Sequence, residues 1–149
     1  MPLSVVILAV IFNTINCLLN GIWLFDLSGG YELSWVTDPR FTFGGVIFFF
    51  GMILNIKSDD ILFSLRDDGS TGYKIPRGGL FEKVSSPNYL GEIIEWIGWA
   101  ILTWSISGVV FLIWVIANLF PRAISHHKWY QNKFENYPKN RKAIIPGII

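Results

Sequence analysis

The sequence predicts an all-α integral membrane protein with about four transmembrane helices, and three observations support this. First, 52% of the 149 residues are hydrophobic and the mean hydropathy is +0.45, which is unusual for a water-soluble domain of this size. Second, the stretches 2–25, 41–56 and 96–120 contain no charged residue. Third, no ten-residue blocks alternate between apolar and polar residues, as the strands of a membrane β-barrel would.

The first two helices are expected near 2–25 and 40–66. A helix crosses the hydrocarbon core of a bilayer with about 20 apolar residues, and roughly 17 to 25 are tolerated. The run 2–25 is therefore long enough by itself. It is too long for a signal peptide and lacks the basic start and the small-residue cleavage site. The uncharged run 41–56 spans the bilayer only if its helix continues into the polar residues that follow.

The next part of the chain is too long for one crossing, because a continuous helix over 88–134 would extend about 70 Å. The sequence SISG at 105–108 is the predicted break, since small polar residues interrupt the apolar run there. This gives two further helices, near 88–104 and 107–133. The whole chain, 1–149, is expected to form one membrane domain.

The distribution of Lys and Arg predicts the orientation. The tail after Phe120 holds six basic residues and one acid, and the loop 57–87 holds five basic residues. The loop 26–39 has no basic residue. The positive-inside rule therefore places the tail and the loop 57–87 in the cytosol and the loop 26–39 on the far side. Four helices put both chain ends in the cytosol.

Polar residues cluster at the predicted cytosolic ends of the last three helices. Asn55, Asp59 and Arg66 share one helical face, and Asn88 and Glu92 share another. The fourth helix adds His126, Trp129, Tyr130 and Lys133. Solvated, snorkelling helix ends would explain any one of these sets alone. Their convergence favours a site for a phosphate-bearing, amide-bearing ligand, because amides and acids match a carboxamide and ribose hydroxyls, and Arg binds phosphate.

Other kinds of site find little support. No GxGxxG follows a predicted strand and no P-loop is present, which excludes the common soluble nucleotide sites. His126 and His127 are adjacent and point to different helix faces, and the single Cys17 is far away, so no metal site is predicted. Cys17 is expected to be a small buried residue. The net charge of +1 gives no indication of nucleic-acid binding.

Three segments of the chain resemble the C-terminal part of the steroid 5α-reductases (3-oxo-5α-steroid 4-dehydrogenases): NIKSDDILFSLR, YKIPRGGLFEKVSSPNYLGEIIEWIGWA and HHKWYQNKFENYPKNRKAIIPGII. The resemblance covers nearly all of 35–149, and TDPRFTFG at 37–44 is similar to the lead-in to that family's fifth helix. It implies that the predicted helices correspond to the last four of a seven-helix fold. In a eukaryote it implies the endoplasmic reticulum membrane.

The resemblance also implies an activity and a cofactor. The family uses NADPH, bound in the cytosolic half, to reduce the 4,5 double bond of 3-oxo-4-ene steroids. Carried onto the matching positions, the cofactor-binding set is Asn55, Asp59, Arg66, Tyr73, Asn88, Glu92, Tyr130 and Arg141. The helix-face analysis identifies six of these, and only Tyr73 and Arg141 come from the resemblance alone. Trp96 and nearby apolar residues are expected to form part of the steroid wall, and the adjacent histidines to have a supporting role.

No catalytic residue can be assigned in this chain. In the family chemistry, hydride passes from the nicotinamide to C5, the polarised carbonyl takes up charge as an enolate, and C4 is then protonated. The glutamate and tyrosine that grip the 3-keto group are expected on three preceding helices that this sequence does not contain. Whether the 149 residues alone are active therefore stays open.

Two alternatives remain at this stage. The chain could belong to a related membrane reductase acting on another conjugated substrate, such as a long-chain enoyl-CoA or a polyprenol. It could also be a truncated, non-catalytic membrane protein that retains the cofactor pocket. The residues by themselves do not rank these against a steroid reductase, and they do not predict an oligomeric state.

Overall fold

The computed structural model describes residues 2–67, 69 and 72–149, so the predicted solvated loop DDGSTG at 67–72 lies partly outside the described residues. The described part is all-α, which confirms the predicted fold class. Its long helices are α1 (Leu3–Ile22), α2 (Pro39–Ser64), α3 (Pro87–Thr103) and α4 (Ile106–Lys133). A π-helical turn, Trp23–Leu27, extends α1, and 3₁₀ turns lie at Leu33–Thr37 and Gly79–Glu82.

Three of these helical segments are long and apolar enough to cross a membrane. They are Leu3–Leu27, Pro39–Ser64 and Ile106–Lys133. The fourth helix, α3, has 17 residues and is about 25 Å long. It stands at the lower limit for a spanning helix. It packs most extensively against α2 and also against α4.

Glycines bring α2 and α3 into close contact. Gly44 and Gly51 of α2 face Gly98 and Gly91 of α3, in antiparallel order. A Cβ atom at any of the four would lie less than 3.0 Å from the backbone of the facing helix. Small residues are favoured between membrane helices because they allow the backbones to approach. The contact fixes the polar end of α2 against the start of α3.

The predicted break between the last two helices is confirmed. Trp104 adopts a left-handed conformation with φ 45°, which ends α3. The next residue, Ser105, caps α4, because its Oγ accepts a hydrogen bond from the Gly108 N–H at 3.0 Å. The Thr103 hydroxyl also lies 2.7 Å from the Ser105 Oγ.

A chain of partly buried aromatic rings crosses the bundle. Phe12 of α1 lies 5.8 Å from Phe111 of α4, centroid to centroid, and Phe111 lies 4.2 Å from Trp96 of α3. Trp96 is followed by Trp99 at 6.4 Å, and Trp99 by Phe48 of α2 at 6.1 Å. Each of the four helices therefore contributes to one continuous aromatic core.

The loop on the predicted far side is held against the end of α3. The Tyr31 hydroxyl donates to the Thr103 carbonyl oxygen at 2.6 Å, and the Trp35 indole N–H donates to the Leu102 carbonyl oxygen at 3.1 Å. These bonds satisfy carbonyls that have no partner inside the helix. The guanidinium of Arg40 lies 4.4 Å from the Trp35 ring centroid.

Besides the ring contacts of Phe12, the first helix is attached through one asparagine. The buried Asn20 side chain accepts hydrogen bonds from the Trp99 indole N–H at 3.2 Å and the Ser107 hydroxyl at 3.3 Å. Its amide donates to Asn16. The prediction that Cys17 is buried is wrong: its side chain is exposed. The reason is that α1 lies at the edge of the bundle and buries little of its surface.

Candidate functional site

The site begins with a tight turn before α3. Gly78 and Gly79 have φ values of 93° and 51°, as expected for a glycine pair at a tight turn. The Gly78 N–H donates to Glu82 Oε1 at 2.7 Å. This bond lowers the pKa of the Glu82 carboxyl, and the charges of Arg141 and Arg77 lower it further against the opposing effect of burial. The acid is therefore held ionised beside two guanidinium groups.

The predicted amide and acid residues of α2 and α3 are in contact. The Asn55 side-chain amide donates to the Asn88 carbonyl oxygen at 3.0 Å. The Asn88 amide in turn donates to Asp59 Oδ1 at 3.0 Å. The glycine contact between the helices makes both bonds possible. Asn55, Asp59 and Asn88 thus form one hydrogen-bonded chain at the predicted cytosolic end of the bundle.

Glu92 lies one helical turn beyond Asn88 and is half-buried. Its carboxylate interacts electrostatically with Asp59 and with Arg122. Among the described residues it has no hydrogen-bond or ion-pair partner. The structure thus leaves the oxygens of Glu92 available beside the amide chain.

The loop and α4 contribute a second part of the site. Arg66, Tyr73 and Tyr130 line a cavity of about 520 Å³, together with Lys74. Tyr73 and Tyr130 also line an adjoining cavity of about 510 Å³, whose other lining residues are His126, Trp129 and Lys133. The Tyr73 ring meets the Trp129 ring edge-on at 4.9 Å. The structure therefore brings Arg66, just after α2, together with Tyr73 of the loop and Tyr130 of α4. The other predicted cofactor-binding residues line neither of these two cavities: Asn55, Asp59, Asn88, Glu92 and Arg141.

Arg141 is the most unusual residue of the site. It is 1% exposed, and its Nε, Nη1 and Nη2 atoms have no hydrogen-bond partner within the described part of the chain. Its nearest charge is Glu82 Oε2, 3.6 Å from Nη2. Its guanidinium lies 5.3 Å from the Tyr137 ring centroid, and that ring stacks on Tyr130 at 5.4 Å. Because buried polar groups are almost always hydrogen-bonded, these donors fit an anionic ligand.

The tail folds back onto the segment before α3, and sequence analysis does not predict this. Val84 and Lys142 pair as an isolated parallel bridge. The Ser86 N–H donates to the Ala143 carbonyl oxygen at 3.1 Å. The burial of Ser85, at 5% exposure, is also not predicted. Neither feature has a periodic signal, since both lie outside regular helices.

The remaining predicted residues lie close to this region or in the core. The His126 ring lies 5.6 Å from the Tyr89 ring, and His127 contacts Ser85 through its Nδ1. His126 also lines the second cavity, and the supporting role of the two histidines stays a prediction. Trp96 belongs to the aromatic core, and its place in a substrate wall stays a prediction.

Comparison with known proteins agrees with the resemblance. The family model described as 3-oxo-5-alpha-steroid 4-dehydrogenase matches residues 1–149. The chain is 53% identical over 148 residues to steroid 5-alpha-reductase DET2 of Solanum lycopersicum, covering 99% of this chain and 57% of that protein. It is 50% identical over 149 residues to 3-oxo-5-alpha-steroid 4-dehydrogenase 1 of Homo sapiens, covering 100% of this chain and 57% of that protein.

The chain is also 49% identical over 149 residues to 3-oxo-5-alpha-steroid 4-dehydrogenase 1 of Bos taurus, covering 100% of this chain and 58% of that protein. The chain thus spans a little over half the length of the curated relatives it matches. The match extends through all four helices, the turn before α3 and the folded-back tail. The chain belongs to the 3-oxo-5-alpha-steroid 4-dehydrogenase family.

Proposed function

We propose that this chain forms the cofactor-binding part of a membrane reductase that uses NADPH to reduce the 4,5 double bond of 3-oxo-4-ene steroids. The names of its relatives support the reaction class. The observation that carries the cofactor assignment is the buried Arg141 guanidinium, whose three nitrogens have no hydrogen-bond partner in the ranges that the structure describes. A phosphate group supplies the negative charge and the acceptor oxygens that this guanidinium needs.

The size of the cavities also fits a large ligand such as a dinucleotide. The two adjoining cavities, of about 520 and 510 Å³, are each within the size range of ligand pockets. Arg66 lines the first cavity and would bind an anionic group there. Arg141 lines neither cavity, but its guanidinium lies beside the Tyr137 ring, which stacks on Tyr130, and it would bind a second anionic group. The Tyr73 and Tyr130 rings would pack against its flat rings, since aromatic faces stack well on heterocycles.

The amide chain would hold the other polar groups of the cofactor. Asn55, Asn88, Asp59 and Glu92 together offer amide donors and carboxylate acceptors, which match a carboxamide and ribose hydroxyls. When bound, NADPH supplies the hydride for the reduction. The residues of this chain bind and orient it. None of them is assigned to polarising the steroid carbonyl.

The basic tail and the loop 57–87 support a cytosolic position for this site. NADPH would then enter from the cytosol, and the steroid from the bilayer. In a eukaryotic cell we place the protein in the endoplasmic reticulum membrane, by analogy with its family.

The test uses the full-length protein in microsomes, with Arg141→Ala compared to Lys139→Ala as a basic, exposed control in the same tail. Loss of a charge-assisted contact worth about 1.5–3 kcal/mol should raise the KM for NADPH roughly ten- to a hundredfold. Lys139→Ala should leave it unchanged. An unchanged KM in a well-folded Arg141→Ala protein would refute the cofactor assignment. A panel of steroid, enoyl-CoA and polyprenol enones would test the substrate class.

A further inference from the structure

One serine hydroxyl joins the segments that surround Arg141. Ser85 lies just before α3 and is 5% exposed. Its Oγ is 2.6 Å from the Tyr137 hydroxyl and 2.6 Å from His127 Nδ1. It is also 3.2 Å from the Lys142 carbonyl oxygen. A single side chain therefore contacts α4 and two points of the tail, one on each side of Arg141.

The hydrogen atoms of this junction can be assigned from its partners. The Lys142 carbonyl only accepts, so Ser85 gives it its one proton, and Tyr137 and His127 must then donate to Ser85. The other ring nitrogen of His127, Nε2, lies 2.9 Å from the amide nitrogen of Gln131, which only donates. A His127 imidazole with its proton on Nδ1 satisfies both contacts. One arrangement of the protons therefore satisfies the contacts of Ser85 and the contact between His127 and Gln131.

The same junction determines where Arg141 lies. The Tyr137 ring, whose hydroxyl binds Ser85, is the ring beside the guanidinium. The residue after Arg141, Lys142, is bonded through both of its backbone groups. Its N–H donates to the Lys83 carbonyl oxygen at 3.0 Å, and its carbonyl oxygen accepts from the Ser85 N–H at 2.9 Å. Among the described residues the guanidinium itself makes only the ion pair with Glu82 and no hydrogen bond, so these neighbours contribute to fixing its position.

We propose that Ser85, acting with Tyr137, is a positioning residue that holds Arg141 ready to bind the phosphate-bearing part of the cofactor. The inference rests on the proposed function. Holding a binding group in place before the ligand arrives raises affinity by reducing the cost of ordering it. Loss of the junction should therefore weaken cofactor binding without changing the groups that touch the cofactor.

The experiment measures steady-state kinetics of the full-length protein for Ser85→Ala and Tyr137→Phe. Tyr137→Phe keeps the ring beside Arg141 and removes only the hydroxyl. Ser125→Ala is the matched control, because its hydroxyl is exposed and bonds only within α4. We expect both junction variants to raise the KM for NADPH about tenfold. The kcat at saturating NADPH and the KM for steroid should stay within about twofold, which a general loss of folding would not produce.

A double-mutant cycle separates positioning from an independent effect. On an Arg141→Ala background, Ser85→Ala should cause little further loss of NADPH affinity. Full additivity would overturn the inference. If Arg141→Ala itself leaves the KM for NADPH unchanged, the proposed function and this inference both fail. If Arg141→Ala weakens binding but Tyr137→Phe and Ser85→Ala do not, only this inference fails. If Ser85→Ala does not fold, Tyr137→Phe decides the question.

Discussion

The contact between α2 and α3 makes a quantitative prediction for Gly91→Ala. A Cβ at Gly91 would lie 2.5 Å from the Asn55 backbone nitrogen, and atoms of the helix backbone cannot move aside as a flexible side chain can. An ordinary contact begins at 3.4 Å, so the helices would have to separate by about 1 Å. Gly45→Ala is the matched control, since its Cβ would meet only the Leu102 side chain at 3.7 Å.

A separation of that size has two consequences. Overpacking of a tight interface costs about 1–3 kcal/mol, which exceeds the gain of about 1 kcal/mol from replacing a helical glycine. It would also stretch the hydrogen bond from the Asn55 amide to the Asn88 carbonyl, now 3.0 Å, beyond the 3.5 Å limit of a hydrogen bond. Gly91→Ala should therefore lower both stability and cofactor affinity.

The assay is thermal unfolding of the full-length protein in detergent, with NADPH binding measured in parallel. A shift of about 2–4 °C per kcal/mol is typical for a protein of 150–250 residues, so Gly91→Ala should lower the apparent Tm by several degrees. Gly45→Ala should stay near the parent protein or slightly above it, because alanine favours the helix. Equal Tm values for Gly91→Ala and Gly45→Ala would show that the α2–α3 contact is not as close as described.

Three further outcomes are expected. Glu92→Gln should keep the fold but weaken NADPH binding about ten- to a hundredfold. Unchanged binding would show that the Glu92 carboxylate only stabilises the start of the helix. With Cys17→Ala as background, Ser34→Cys and Asn140→Cys should label from opposite sides of sealed microsomes, and labelling from one side would refute the topology. Hydrogen bonds from the side chain and the backbone N–H of Arg40 lower the Asp38 pKa from 3.8 to about 2. The stability that the ionised Asp38 carboxylate gives to the fold should therefore be fully present above pH 3.8 and lost as the pH falls towards 2. Asp38→Asn should remove that part of the pH dependence of Tm.

Helix positions were predictable because their signals are local. Pro39 and Pro87 stand in the first turn of α2 and α3, where proline is tolerated, and uncharged runs mark the interiors. The helical face shared by Asn55 and Asp59 identified part of the site, since side chains four residues apart project together. The exposure of the Cys17 side chain was not predictable, because the packing partners of α1 decide which of its faces is covered.

The rest of the site lies where periodicity gives no information. Arg141 follows the last helix, and its burial depends on a tail that returns to residues 83–86. Its basic neighbours in the sequence look like any solvated tail. Ser85 is one hydroxyl in a loop, and its three contacts come from residues more than 40 positions away in the chain. Only the family resemblance could indicate Arg141 from the sequence, and nothing indicated Ser85.

The amide chain and the buried Arg141 both depend on one short segment at the start of α3. Asn88 is bonded to α2 through its carbonyl and its amide. Three residues earlier, Ser85 is bonded to α4 and to the tail that carries Arg141. A shift of this segment would therefore move the amide chain and the buried guanidinium together. The cofactor would meet its amide-binding and phosphate-binding groups at a set spacing because one short segment, 85–88, contacts both.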